Sequence, residues 1–429
     1  MKFIIYLNFI ISVAFTLCYF YQFVYVLVGL FKKKRASVSS SNHRFAVVIS
    51  ARNEGGVIGN LIASIKNQTY PSELIDIFVV ADNCSDNTAE IAHNLGAFVY
   101  ERFNTTKVGK GYALDWLFKI IDKEHADKKY DAYIIFDADN IIEPNFIEEM
   151  NNTFNSGYKI ITSYRNSKNY GENWITAGYS LWFLREAKFL NNARMNLGTS
   201  CAISGTGFLV STDIIRKNGG WIHHLLTEDI EFTTDCIVKG EKIGYCEKAV
   251  LYDEQPTAFY QSYIQRLRWS KGFYQVFGKY SKQLFKGIFK GNFSCYDMLM
   301  TLMPAMLLTL SSTVINLIAV PVAILSQSIY LPMLLKTLFQ TFLSFYMVFY
   351  ALGAITTITE WKQIHCKTVK KILYTFTFPL FMFTYVPISI IALFKRVKWE
   401  PIKHSVSVTI SDICSDDEKV EQTQSTESF

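Results

Sequence analysis

From Phe3 to Phe31 the chain carries no charged side chain, and Lys32-Lys33-Lys34-Arg35 follows at once. Crossing the hydrocarbon core of a bilayer takes about 20 apolar residues, so this run suffices even when tilted. It is too long for a signal-peptide core and lacks a small-residue cleavage site, which makes residues 1–35 a signal anchor. Positive residues flanking a span stay on the cytoplasmic side, so the cluster places the following chain in the cytoplasm, beneath the plasma membrane.

Apolar texture returns near the other end, over Met298–Leu325, Leu331–Thr356 and Ile372–Phe394, within a membrane region assigned to residues 291–398. Pro304, Pro321, Pro379 and Pro387 interrupt these stretches, as membrane helices tolerate. Three crossings after a cytoplasmic domain would leave the C-terminus outside, whereas Lys395, Arg396 and Lys398 argue that it is inside. One stretch is therefore expected to be interfacial or re-entrant. Few charges sit within the apolar runs, which weighs against a transporter. Residues 399–429 form a polar, acidic tail whose composition from Ser405 onward predicts disorder.

The basic residues gather beside apolar runs, and the net charge is only +6. That distribution suits anionic lipid headgroups and gives no basic stripe for nucleic acid. The eight cysteines include no C-x-x-C pair, which leaves zinc and iron–sulfur readings weak. Scattered thiols fit a reducing compartment.

Residues 36–290 have the texture of a soluble α/β domain. Phe45–Ser50, Ile75–Ala81, Ala97–Glu101 and Tyr133–Phe136 read as short apolar strands. Helical spacing over Val57–Gln68, Thr88–Leu95 and Gly111–Lys123 separates them. Such alternation predicts a doubly wound, mostly parallel, Rossmann-like sheet inserted between the membrane segments. Ligands bind such sheets beyond the strand C-termini, so residues just after strands carry most interest.

Four groups could carry chemistry. Asp137-Ala138-Asp139 follows a strand, and two carboxylates so spaced can share Mg2+ or Mn2+ with the phosphates of a nucleotide. Asp82 opens a second loop of this kind, where a carboxylate can accept from a base or ribose; Ser85 or Asp86 in the same loop would cap the next helix. Thr227-Glu228-Asp229 reads either as a helix start, with Thr227 as N-cap, or as the site of a general base. Gln265-Arg266-Leu267-Arg268-Trp269 is helical, with Gln265 and Trp269 on one face. It suits either a membrane interface or a diphosphate and a sugar ring.

Taken in order, Asp82, Asp137-x-Asp139, Thr227-Glu228-Asp229 and Gln265-x-x-Arg268-Trp269 resemble the D, D-x-D, T-E-D, Q-x-x-R-W series of processive family 2 glycosyltransferases. These include cellulose, hyaluronan, chitin and poly-N-acetylglucosamine synthases. Arg52-Asn53-Glu54 and Gly109-Lys110-Gly111 match further landmarks, and the resemblance covers about Phe45 to Tyr280. It implies a GT-A-type fold and inverting transfer from a UDP-sugar to a polysaccharide or glycolipid acceptor. In that scheme Asp82, Lys110, Arg52 and Glu54 line the nucleotide sugar, and Asp137 and Asp139 hold the diphosphate and its Mg2+ or Mn2+. Asp229 is the catalytic base beside Glu228. Gln265, Arg268 and Trp269 close over the diphosphate and frame the acceptor, whose path Gly205-Thr206-Gly207 lines. Arg52 stands where many members place a base-stacking Tyr, and the membrane region is small for a polymer channel. A growing β-linked polymer is the leading acceptor, and a membrane lipid receiving one sugar is the alternative. Every expected carboxylate is present, which weighs against an inactive scaffold.

Overall fold

The computed structural model describes residues 2–31, 41–402, 404 and 406–413. The Lys32–Arg35 cluster and residues 414–429 of the tail lie outside the described residues. Helices α1 (Lys2–Tyr19) and α2 (Tyr21–Leu30) precede a single eight-stranded sheet of order β3-β2-β1-β4-β7-β6-β8-β5. Its strands are β1 (Phe45–Ala51), β2 (Ile75–Asp82), β3 (Phe98–Arg102), β4 (Ala132–Asp137), β5 (Ile141–Ile142), β6 (Ile160–Ser167), β7 (Phe208–Ser211) and β8 (Ile243–Asp253). The intervening helices are α3 (Ile58–Lys66), α4 (Thr88–Asn94), α5 (Lys110–Glu124), α6 (Phe146–Asn155), α7 (Trp174–Arg185), α8 (Asn192–Asn196), α9 (Thr212–Lys217) and α10 (Glu228–Val238). A π-helical turn, Glu186–Asn191, joins α7 to α8.

Central strands β1 and β4 are buried on both faces, which is why they read as unbroken apolar runs. Alternate side chains serve opposite layers. Val48, Phe78, Val80, Tyr133 and Ile135 pack with Leu114, Leu117, Phe118 and Ile121 of α5. Val47, Ile49, Val79, Ile134 and Phe136 pack with Leu61, Ile62 and Ile65 of α3 and Phe146, Ile147 and Met150 of α6.

The sheet is less parallel than the sequence pattern implies. β3-β2-β1-β4 is parallel throughout and β6 runs parallel to β8, but β7 is antiparallel to both neighbours, as β5 is to β8. The reversal brings Gly205–Gly207 to the edge where β4 ends: Gly207 N–H donates to the Ile135 carbonyl at 2.9 Å. A Cβ on Gly207 would lie 1.9 Å from the Leu251 side chain, and its φ is +63°, so the turn needs glycine.

After the sheet come α11 (Phe259–Phe289), α12 (Phe293–Leu302), α13 (Pro304–Leu325), α14 (Leu331–Thr359), α15 (Thr368–Phe383) and α16 (Tyr385–Phe394). Among the described residues, four helical stretches are long and apolar enough to cross a membrane: Lys2–Leu30, Phe293–Leu325, Leu331–Thr359 and Thr368–Phe394. A buried knot ties the first two to the catalytic domain. Asp297 of α12 accepts from the Tyr21 and Tyr25 hydroxyls of α2 at 2.8 and 2.9 Å. It also accepts from Nε and Nη2 of Arg194 in α8 at 2.7 and 3.0 Å. On the other flank α15 lies so close to α7 that a Cβ on Gly178 would meet the Phe381 ring at 2.3 Å.

The described residues 399–402, 404 and 406–413 return to the α/β domain. Val408 and Ile413 join its core, and Asn60 donates to the Ser407 hydroxyl at 2.9 Å. Here the apolar side chains Val408 and Ile413 have a surface to cover.

Removing one partner of a buried ion pair strands the other, at a cost of about 3–5 kcal/mol. Asp297→Ala is expected to lower unfolding free energy by about that much in detergent, followed by denaturant titration. The double variant Asp297→Leu, Arg194→Met should recover most of the loss.

Candidate active site

The C-terminal edge of β1, β2 and β4 gathers the nucleotide-side residues. Asp82 ends β2 and is buried, where it pairs with Arg102 of the neighbouring strand. Burial raises the Asp82 carboxyl despite that guanidinium. Arg102 and Asn83 both bond Oδ1, which leaves Oδ2 to meet a ligand. Arg52 follows β1, and its guanidinium stacks over Trp399 of the returning segment, 5.2 Å from the ring centroid. Its buried Nη1 has no hydrogen-bond partner among the described residues. In the adjoining loop Asp86, rather than Ser85, accepts the Thr88 N–H, at 3.1 Å.

Asp137 ends β4. Lys110, from the start of α5, donates to its Oδ1 at 2.5 Å and to the Gly205 carbonyl at 2.8 Å. Burial opposes the lysine's charge, but Asp137, Glu228 and Asp229 together raise its pKa. Asp139 is 2% exposed and accepts the Glu254 N–H at 3.1 Å. Thr206 bonds Asn140, and its hydroxyl also accepts the Asp137 N–H at 2.9 Å. The Gly205-Thr206-Gly207 turn and the D-x-D turn are thus one structure.

Sequence reasoning missed the far wall of this cleft. Asp253 ends β8 as Asp82 and Asp137 end their strands, and that position was the available signal. It pairs with Arg165 of β6 and bonds Asn140 at 3.1 Å. Burial, with Asp139 close by, raises Asp253 to about 6 despite Arg165. Lys168 lies in the same field with its Nζ buried and unpartnered among the described residues. His404 lies 2.9 Å from Glu54, and the Val406 N–H donates to Glu254 at 2.9 Å. Burial opposes the imidazolium, but Asp139, Glu54 and Glu254 outweigh it and raise His404 to about 10.

Among the described residues, no cluster of three or more His, Cys, Asp or Glu side chains suited to a metal occurs. Asp137 and Asp139 offer hard oxygens, and Asp137 keeps 37% of its side chain open. That fits an Mg2+ or Mn2+ ion completed by phosphates and water, as Mg2+ usually is when bound to a nucleotide.

Glu228 and Asp229 open α10, where the helix dipole favours carboxylates. Burial and the adjacent Asp229 raise Glu228 to about 7; burial raises Asp229 against the pull of Lys110 and Arg268. Gly205 passes beside Asp229: a Cβ there would lie 3.8 Å from Oδ2. Gly111 brings α5 against the same loop, since a Cβ on it would sit 2.2 Å from the His223 carbonyl.

Helix α11 holds this loop from the other side. Arg268 donates to the Leu226 carbonyl at 3.0 Å, and Lys279 pairs with Glu231 at 2.6 Å. A Cβ on Gly272 would fall 2.4 Å from the Thr227 hydroxyl. Thr227 occupies the N-cap position, yet its hydroxyl makes no capping bond; the Leu225 N–H is taken by Glu231 instead, at 2.9 Å. Gln265, Arg268 and Trp269 are half-buried, whereas Arg266 and Leu267 are fully buried. Trp269 meets Tyr179 and Phe183 edge-on at centroid distances of 5.7 and 6.2 Å. Gln265 Oε1 is buried with no partner among the described residues.

Direct contacts join Lys110, Asp137, the Gly205–Gly207 turn and Asp229, and Arg268 holds the loop that carries Asp229. Asp82, Arg52 and Glu54 stand at the ends of the neighbouring strands, and Gln265 and Trp269 on the helix of Arg268. Nearly the whole fold is shared with the mannosyltransferase PcManGT from Pyrobaculum calidifontis, solved with GDP-Man and Mn2+. The TM-score is 0.57 at 14% identity, over 90% of this chain and 99% of that one. The chain is 24% identical over 235 residues to a β-monoglucosyldiacylglycerol synthase of Synechocystis sp., which covers 54% of this chain and 48% of the relative. It is 21% identical over 247 residues to a poly-β-1,6-N-acetyl-D-glucosamine synthase of Staphylococcus epidermidis, covering 56% and 58%. The chain thus spans about half the length of these curated relatives. Residues 43–272, more than half of the chain, match the model of the Glycosyltransferase like family 2, and the chain belongs to that family.

Proposed function

We propose that the protein is a membrane-bound inverting glycosyltransferase that moves a sugar from a UDP-sugar to a hydroxyl of a membrane-held acceptor. The observation that carries the reading is the placement of Asp229. It is a half-buried carboxylate with a raised pKa at a helix N-terminus, across one glycine turn from the D-x-D. Glycosyl transfer passes through an oxocarbenium-like state in which negative charge grows on the departing diphosphate. Arg268, Lys110 and the unpartnered Arg52 and Lys168 supply positive charge for that group. A divalent ion held by Asp137 and Asp139 would add Lewis-acid stabilisation of the diphosphate. Asp229 takes the proton of the attacking hydroxyl. One displacement with one base inverts the anomeric centre, so an α-linked donor gives a β-linked product.

The leading expectation from the sequence, a growing polysaccharide, requires a passage below the acceptor site. Tyr179, Phe183, Phe381 and Trp269 instead pack as one aromatic cluster between α7, α11 and α15. Arg266 fills the next layer against Phe381 and Tyr385, at 4.6 and 5.0 Å from their ring centroids. This packing favours the alternative, transfer of one sugar to a lipid, which is also what the Synechocystis relative's name describes.

Chain parity supports an interfacial position for one apolar stretch. Trp399, His404 and Val406 touch the catalytic domain, so the residues just after the last apolar stretch lie on the side of that domain. Residues 368–394 fit the interfacial role: α15 seats Phe381 against α7, and α16 packs on α11 through Leu267, Ile388 and Ala392.

UDP release by the full chain in nanodiscs, over a panel of UDP-sugars with Mn2+ or Mg2+, tests the class. Loss of a general base costs about 100- to 10,000-fold, and Asp229→Asn should lose that much transfer while retaining UDP binding. Transfer surviving in this variant would remove Asp229 from the role. Asp229 must be ionised to act and its pKa is raised, so activity should fall with acidification at a pH above the ordinary carboxylate range. Glu228→Gln removes a neighbouring negative charge, which should move that acid limb to lower pH in a kcat/KM profile. For topology, a membrane-impermeant maleimide should label Asn67→Cys and Pro401→Cys, each in a cysteine-free background, from the same face of sealed vesicles. Labelling from opposite faces would refute the parity argument.

A further inference from the structure

The reading above leaves one half-buried carboxylate near the base without work. Glu186 is the first residue of the π-helical turn that joins α7 to α8. Such turns interrupt the regular hydrogen-bond ladder and persist mostly where a side chain must be re-aimed for function. Glu186 is half-buried, and its Oε2 accepts the Ser204 hydroxyl at 3.0 Å. The Ser204 carbonyl accepts from Arg165 Nη1 at 2.7 Å. The next residue, Gly205, is the one whose Cβ would lie 3.8 Å from both Arg165 Nη1 and Asp229 Oδ2. Glu186 and Asp229 thus flank the same two-residue turn, and the side-chain hydrogen bond that Glu186 makes among the described residues falls on Oε2, which leaves Oε1 for a ligand. Burial raises the Glu186 carboxyl, and Arg194, Arg165 and Arg185, which do not bond it directly, offset part of that rise.

We infer that Glu186 binds the acceptor, accepting a hydrogen bond from a second hydroxyl while Asp229 deprotonates the attacking one. This rests on the transferase reading and adds a specificity contact to it. A vicinal pair of hydroxyls, as on a sugar ring or a glycerol backbone, is the chemistry that two carboxylates across one glycine turn would recognise. A mono-alcohol offers only one of the two contacts. The glycine matters here because any side chain at 205, whose φ is +82°, would press on Asp229 and on Arg165, which holds the Ser204 carbonyl.

The test compares wild type with Glu186→Gln and Ser204→Ala, as full chains in nanodiscs with the donor that the UDP-release panel identifies. Octyl β-glucoside and bilayer 1-monoacylglycerol, each carrying a vicinal pair of hydroxyls, serve as acceptor probes. A hydrogen bond to a charged group is worth about 10- to 100-fold. Glu186→Gln should raise the acceptor KM by that factor with the probe that wild type uses. Acceptor-independent hydrolysis of the donor and UDP binding should stay within about twofold, a split that general damage to the fold would not produce. Ser204→Ala should raise acceptor KM less, because it frees Glu186 without removing it. An unchanged acceptor KM in Glu186→Gln would overturn the inference and leave the transferase reading standing. So would an equal fall in donor hydrolysis and transfer. A wild type that neither binds UDP nor releases it from any donor would overturn both.

Discussion

The Lys110 ammonium is the contact on which the site depends. It bonds the D-x-D carboxylate at the end of β4 and the carbonyl of the glycine turn before β7, and its field reaches Glu228 and Asp229. Without that charge, three carboxylates would face one another across the turn in a poorly solvated cleft, which like charges resist. Everything else in the domain serves to deliver this one cation. Gly109 admits the backbone turn that starts α5, with φ at +126°, and Gly111 lets the helix pass beside the His223 carbonyl.

The same electrostatic pattern recurs one layer away. Asp82 has Arg102, Asp253 has Arg165, and Glu54 has His404. A site built from many buried carboxylates is stable only where each is paired, and pairing lets it receive an anionic nucleotide without an excess of negative charge. The unpartnered Arg52 Nη1 and Lys168 Nζ are exceptions to that pairing, and they are cations, the sign that a diphosphate needs.

Much of this could be read from the sequence because strand ends are local. Asp82 and Asp137 announce themselves by following apolar runs whose burial is decided by the residues beside them. The T-E-D and Q-x-x-R-W groups were legible only together, since each alone also suits an ordinary helix. What stayed hidden depends on long-range pairing. The direction of β7 is set by its neighbours in the sheet, and no feature of Phe208–Ser211 encodes it. Asp253 reaches the cleft because β8 pairs with β6 across an irregular register, and Trp399 and His404 reach it from chain that follows all of the apolar helices in sequence. The π turn at Glu186 has no periodic signature, because an extra residue in one turn leaves the apolar pattern on either side intact.

Gly272 leaves α11 no space between its backbone and Thr227, so the helix and the loop carrying Asp229 move as one body. That helix passes through α12 directly into the apolar run of α13. On the proposed reading, the base therefore has a fixed height above the layer in which its acceptor dissolves. The bilayer then acts as a ruler: an acceptor is chosen by how far its hydroxyl stands out of the headgroup plane as well as by its chemistry. Lipids that bear the same hydroxyl on a shorter or longer stem would present it at the wrong level, however well their rings fit.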